Sequence, residues 1–312
     1  MDRNLALEFV RVTEAAAIAA AKWIGKGEKK KADGAAVEAM RSRFNNVDFK
    51  GTIVIGEGKK DEAPELYVGE ALGTGNGPEM DIAVDPLECT DSVAYGRYNA
   101  VAVITTGPKG SLLSAPDTYM KKIAVGPQAA DVIDLEAPVK INIEKVAKAL
   151  EKNIEEVTVS LLDRPRHEEL IKEIRETGAR VRLITDGDVA VAVATCLQEN
   201  PIDMLLGTGG SAEAVLAAVA VKILGGEIQV QFSPRNDEDR QEMKKMGLDD
   251  KKIFTTEDLA HGDNLTFTAT GVIDGPMLAG VVFNPHSILT HSVVMRSSSK
   301  TIRYLTTHHH EK

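Results

Sequence analysis

Acidic side chains placed where short apolar runs end are the chemistry this sequence offers most plainly. Ile82-Ala83-Val84 leads straight into Asp85-Pro86-Leu87-Glu88-Cys89-Thr90. Proline has no N–H and a fixed φ, so the run is expected to stop at Asp85 and turn, presenting Asp85, Glu88 and Thr90 together. Two carboxylates and a hydroxyl leaving one strand end suit the binding of a cation and the activation of a water. Taken alone, the same residues also suit a turn with an Asp cap and a solvated Glu. Two further acids shift the balance. Glu57 follows Thr52-Ile53-Val54-Ile55 and lies between Gly56 and Gly58, where the backbone can bend and a ligand can come close. Asp33 precedes Gly34-Ala35-Ala36-Val37 and is expected to open a helix as its N-cap.

Ligand type narrows the ion. No histidine occurs before His167, so this half offers oxygen donors and the single thiol of Cys89. Such a set favours Mg²⁺ or Mn²⁺ over Zn²⁺ or Cu²⁺. Carboxylates gathered without compensation raise one another's pKa, and two or three divalent ions would relieve the repulsion. Metal-assisted hydrolysis is the reaction class that follows.

The elements that must position these residues can be read from periodicity. Leu5, Phe9, Val12, Ala16 and Ala20 recur at helical spacing over residues 4–23. Strands are expected at 52–55, 82–84, 100–105 and 111–113, and another at 130–135. From about residue 141 helices and strands alternate: helix 146–152, strand 157–162, helix 167–177, strand 181–184, helix 189–197, strand 203–206, helix 212–223. That rhythm predicts an α/β architecture with a parallel sheet. A charged stretch carries a surface helix at 237–246, and late strands follow at 265–270 and 292–295. His308-His309-His310 reads as a polar tail. Two halves are expected, 1–140 carrying the acids and 141–312 carrying the parallel sheet and the late strands.

In a parallel sheet the loops leaving the carboxyl ends of the strands converge on one edge, where ligands bind. Three such loops are visible: Asp163-Arg164-Pro165-Arg166, Thr185-Asp186-Gly187-Asp188, and Gly207-Thr208-Gly209-Gly210 running into Ser211. Arginine suits phosphate, aspartate suits hydroxyls, and a glycine turn at a helix start offers backbone donors. Helix caps and ordinary loop residues would account for each loop singly, with Asp188 a good N-cap. The glycine turn lacks a following Lys-Ser/Thr and is no P-loop.

Composition sets outer bounds. The chain has 312 residues, 43% of them hydrophobic, and a formal net charge of −10. That length and apolar content support a full core. The acidic balance argues against a nucleic-acid surface, and no apolar stretch is long enough to span a membrane. Asp2, Glu8, Arg11 and Glu14 interrupt the first 25 residues, so a cytoplasmic location is expected rather than a secretory one. Cys89 and Cys196 are too few and too far apart for a disulfide framework.

Asp85-Pro86-Leu87-Glu88-x-Thr90, downstream of Gly56-Glu57-Gly58, resembles the lithium-sensitive, metal-dependent sugar and inositol phosphatases. Closer still is the resemblance to the bacterial class II fructose-1,6-bisphosphatases, carried by residues 52–58, 61–64, 115–120, 164–167, 186–190 and 290–296 and extending over about 1–305. The resemblance implies an αβαβα sandwich of layered α+β character. It implies hydrolysis of the 1-phosphate of fructose 1,6-bisphosphate, with sedoheptulose 1,7-bisphosphate as a second substrate or, on another reading, a silent sugar-phosphate sensor. It places metal ligands at Asp33, Glu57, Asp85, Glu88 and Glu213. Thr90, with Asp61 as partner, would ready the water, and Lys29 would contact phosphate. Substrate contacts fall on Glu88, Thr90, Tyr119, Arg164, Arg166, Asp186, Asp188 and Gly210. Mg²⁺ or Mn²⁺, lithium sensitivity, a dimer or tetramer and a gluconeogenic role belong to the same expectation. Two departures stand out: Cys89 where the family has glycine, a substitution that strains any left-handed backbone, and Gly209-Gly-Ser-Ala-Glu213 where the family reads Gly-Gly-Ala-Pro-Glu.

Overall fold

In the computed structural model of the chain, residues 5–57 and 66–310 are described. The elements run in chain order as α1 (Leu5–Ala21), α2 (Lys29–Phe44), β1 (Lys50–Ile55), β2 (Ala71–Leu72), β3 (Glu79–Glu88), α3 (Thr90–Tyr95) and β4 (Ala100–Pro108). Next come β5 (Tyr119–Val125), α4 (Val139–Ala149), β6 (Thr158–Leu162), α5 (Glu168–Glu176), β7 (Arg180–Ile184), α6 (Val189–Ala194), β8 (Met204–Gly210) and α7 (Ser211–Leu224). The chain continues through β9 (Glu227–Phe232), α8 (Asp237–Lys245), β10 (Ile253–Phe254), α9 (Thr256–Leu259), β11 (Thr266–Ile273), β12 (Val282–Asn284), β13 (Ser287–Arg296) and β14 (Thr301–His310). Both sheets mix parallel and antiparallel pairs and carry helices, the layered α+β character expected.

Two compact units divide the chain, one formed by 1–114 with 261–312 and the other by Ala115–Ala260. The division differs from the halves expected at 140/141. The late strands pair with β4 through β11, so the chain returns to the first unit after residue 260. Strand pairing between segments so distant in sequence leaves no local mark.

In the first unit the strand order is β12-β13-β11-β4-β3-β1-β2, with β14 on the other edge of β13. Phe9 of α1, Phe44 of α2 and Phe49 before β1 meet ring to ring at 5.5–6.2 Å, locking both helices over the sheet. Residues 308–310, expected as a tail, instead complete β14 and pair with Ile288 and its neighbours on β13. Residues 111–113 and 130–135 do not form the expected strands: the first makes one isolated bridge and the second is turn.

The second unit has the order β10-β9-β5-β8-β6-β7. Only β8, β6 and β7 are mutually parallel, whereas β5 runs antiparallel to both β8 and β9. The three strands expected from the alternation are thus parallel, and β5 and β9, which that rhythm did not include, make the sheet mixed. Its core gathers Ile123, Val125, Ile143, Val146, Val159, Leu161, Ile174 and Met204.

Candidate active site

The signature strand does not stop where expected. β3 continues through Asp85-Pro86-Leu87-Glu88, and the register with β4 slips between Asp85 and Glu88. A bulge leaves one residue outside the ladder, so the missing N–H of Pro86 costs no sheet hydrogen bond. Asp85 Oδ1 accepts the Leu87 N–H at 3.0 Å, holding the bulge in shape. Glu88 is 2% exposed at the strand end. β1 runs parallel to β3, so its own end, followed by Glu57, lies at the same sheet edge. The Glu57 N–H is tied to the Leu66 carbonyl at 2.8 Å.

Asp33 is not the expected N-cap. Lys29, Lys30 and Lys31, good helix formers, already belong to α2, which puts Asp33 in its second turn. Burial alone pushes the Asp33 carboxyl above the ordinary value of 3.8, the response of an acid set where a cation would offset lost hydration. Lys29 pairs with Asp91 and lies 5.4 Å from the Tyr95 ring centre. This contact pins the first turn of α2 beside the start of α3, whose first residue is Thr90. Asp61 falls outside the described residues. Among the described residues no three His, Cys, Asp or Glu side chains converge closely enough to hold a metal ion. The donor set nonetheless fits a hard divalent cation, since Asp33, Glu57, Asp85 and Glu88 offer carboxylate oxygens only.

Cys89 has φ 78° and ψ 51°, the left-handed conformation, between Glu88 and Thr90. The chain makes its turn into α3 there, and Asn99 Nδ2 lies 3.6 Å from the buried Cys89 Sγ. A left-handed residue with a Cβ carries a penalty that grows with β-branching. Cys89→Val is expected to be about 1–2 kcal/mol less stable than Cys89→Gly, as thermal denaturation of the two variants would read. Equal stabilities would mean that the left-handed backbone imposes no penalty.

In the second unit the glycine stretch expected as a loop is strand. Gly207 to Gly210 pair with Lys122 back to Tyr119 on β5. Neighbouring side chains fill the space a Cβ would take: the Glu213 carboxylate against Gly210, and at Gly209 the Asp188 carboxylate with Lys122 Nζ 3.0 Å away. Asp188 stands at the N-cap position of α6, yet its carboxylate does not cap the helix. Lys122 Nζ donates to both Asp188 oxygens at 2.9 Å, with only 2% and 6% of the two side chains exposed. Burial pushes the Glu213 carboxyl above the ordinary range, with the Lys122 charge pulling the other way.

The arginine loop is held by His167. The Thr208 N–H donates to His167 Nε2 at 2.8 Å, so the ring proton sits on Nδ1 and donates to the Leu162 carbonyl at 2.8 Å. That neutral tautomer accords with a pKa lowered mainly by burial. Arg166 donates twice to the Thr208 carbonyl, at 3.1 and 2.8 Å, and its guanidinium lies 4.6 Å from the Tyr119 ring centre. Arg164 faces Asp186 at 3.7 Å. Tyr119, Arg166, Thr208 and Gly210 thus meet at one sheet edge, and Arg164, Asp186 and Asp188 leave β6 and β7 at the same edge.

Sequence reasoning passed over Lys122, a cation inside the apolar run of β5. It also passed over Arg235 with Asp239, hidden in a charged stretch that reads as surface helix. The signals were a pair of lysines, Lys121-Lys122, inside an otherwise apolar strand, whose alternation turns the two to opposite faces, and a strand followed by Ser-Pro-Arg and an Asn cap.

A family model described as bacterial fructose-1,6-bisphosphatase, glpX-encoded, matches residues 3–309. The chain is 45% identical to "Fructose-1,6-bisphosphatase 1 class 2" of Escherichia coli (strain K12), over 99% of this chain and 96% of the relative. It is equally similar, over the same shares, to "Fructose-1,6-bisphosphatase class 2" of Shigella flexneri. Among solved structures, an extragenic suppressor from Pyrococcus furiosus covers 57% of this chain and 63% of its own, at 15% identity and a TM-score of 0.28, too slight a likeness to bear on the fold. No helix among the described residues is long and apolar enough to cross a membrane.

Proposed function

Because the chain belongs to the bacterial, glpX-encoded fructose-1,6-bisphosphatase family, we propose that it hydrolyses the 1-phosphate of fructose 1,6-bisphosphate, giving fructose 6-phosphate and phosphate by direct attack of water. It is a phosphoric monoester hydrolase of a metal-dependent family. The observation that carries the reading is the parallel pairing of β1 with β3, which brings the ends bearing Glu57 and Asp85–Glu88 to one edge beside Thr90.

Asp33, Glu57, Asp85, Glu88 and Glu213 would hold two or three Mg²⁺ or Mn²⁺ ions. Such ions supply a water of lowered pKa and offset charge on the leaving oxygen. Thr90, at the start of α3, orients the attacking water through its hydroxyl, with Asp61 as its partner. Lys29, paired with Asp91, contacts the phosphate. Glu88 and Thr90 also face the substrate, whose sugar and second phosphate are taken by Tyr119, Arg164, Arg166, Asp186, Asp188 and Gly210. A silent sensor is not favoured, since every acid the family uses is present and Cys89 adopts the left-handed turn. A cytoplasmic location, a dimer or tetramer and a gluconeogenic role complete the proposal.

Phosphate release from fructose 1,6-bisphosphate is expected with added Mg²⁺ or Mn²⁺, to disappear in excess EDTA and to be inhibited by Li⁺. Full turnover in excess EDTA would sink the metal assignment, and no turnover with either ion would sink the substrate.

A further inference from the structure

The edge of the second sheet carries a fourth loop. β8 and β9 both run antiparallel to β5 and flank it. The carboxyl end of β9 therefore lies beside the start of β5 at Tyr119, and the Ser233 N–H donates to the Tyr119 carbonyl at 2.8 Å. Two residues on is Arg235, whose guanidinium carbon lies 5.3 Å from the Tyr119 ring centre. Two guanidinium groups thus lie against the one ring of Tyr119, that of Arg166 at 4.6 Å and that of Arg235 at 5.3 Å from its centre.

Arg235 is fixed from behind. Its Nε donates to Asp239 Oδ2 at 2.8 Å and its Nη2 to Asp239 Oδ1 at 3.2 Å. Nη2 also donates to the Asp117 carbonyl and to Asp117 Oδ2. The buried Asp239 takes the Thr118 hydroxyl at 2.7 Å as well, and the Asn236 side chain caps the helix that carries it. Among the described residues Nη1 takes no hydrogen bond, and 35% of the side chain is open to solvent. Arg235 keeps an open edge after these pairings, and a second guanidinium, that of Arg166, lies at the same ring, an arrangement suited to the bidentate hydrogen bonds a phosphate accepts.

We infer that Arg235 is a specificity-determining residue which, with Arg166 and over the ring of Tyr119, recognises the phosphate of the bisphosphate that is not cleaved. The inference rests on the reading above that Tyr119 and Arg166 contact substrate. It also assigns Asp239 and Thr118 as positioning residues that aim the guanidinium.

The test compares fructose 1,6-bisphosphate with fructose 1-phosphate, which lacks the second phosphate. Arg235→Met is made alone and together with Asp239→Asn, the pair keeping a buried carboxylate from standing uncompensated. The ratio of kcat/KM values, bisphosphate over monophosphate, is expected to fall about tenfold in both variants, through a raised KM and with kcat held. Inhibition by fructose 6-phosphate, which carries only the second phosphate, should weaken by about the same factor. Arg235→Lys, keeping charge without the fork, should fall between. An unchanged ratio with unchanged fructose 6-phosphate inhibition would make Arg235 a staple for α8 and overturn the inference. A wild-type enzyme that cleaves neither ester would instead overturn the bisphosphatase reading.

Discussion

Replacing Asp85 by asparagine is expected to lower kcat/KM for fructose 1,6-bisphosphate by at least about a hundredfold, with the fold unchanged. The substitution separates two roles of one side chain. Asp85 Oδ1 accepts the Leu87 N–H across the bulge of β3, and an asparagine carbonyl can accept the same bond. Shape at the bulge is therefore kept, while the negative charge is lost. If Asp85 only shaped the turn, the variant would retain activity and its thermal stability. If it holds a divalent ion, activity falls and raising Mg²⁺ or Mn²⁺ restores part of it, since weaker ligation is met by mass action. Measuring phosphate release against metal concentration in Asp85→Asn distinguishes the two. Near-wild-type activity at low metal would remove Asp85 from the site.

How far the sequence disclosed this arrangement depends on the range of the interaction involved. The helix of Leu5, Phe9, Val12 and Ala16 was legible because its apolar stripe is local, and α1 spans Leu5–Ala21. Glu57, Asp85 and Glu88 were legible as a set because each follows an apolar run whose end is marked by glycine or proline, whereas Asp33, read as the cap of a helix, lies inside one. Their elements were less legible. Pro86 reads as a terminator, yet the strand absorbs it at a bulge that only its pairing with Val101 and Val103 of β4 defines. Gly207 to Gly210 read as a turn because glycine is common in turns, but here glycine makes room inside a strand for Asp188, Lys122, Glu213 and His167. Lys122, His167 and Asp188 come from distant segments, and no local pattern announces them; Glu213 alone is near in sequence. Arg235 was lost for the same reason: its partner Tyr119 lies more than a hundred residues earlier, across a sheet pairing. Glu213 as a ligand, and the role of each residue, came from resemblance rather than spacing.

Lys122→Met is expected to destabilise the protein by about 3–5 kcal/mol, the cost of leaving a buried ion-pair partner alone. Lys122 and Asp188 form a buried ion pair against Gly209, whose Cβ space the pair occupies. Removing the ammonium strands the Asp188 carboxylate and also takes from Glu213 the charge that opposes its burial. For a unit of this size such a loss corresponds to a fall in melting temperature of roughly 6–20 °C. A double variant, Lys122→Met with Asp188→Leu, removes both charges and should recover most of that stability, because an apolar pair of similar volume often replaces a buried ion pair without loss. Activity separates the roles further. If Asp188 also contacts the sugar, the double variant melts near the wild type yet binds fructose 1,6-bisphosphate poorly, with KM raised. A single variant as stable as wild type would show that water reaches the pair and screens it, and that Gly209 is glycine for a reason other than this contact.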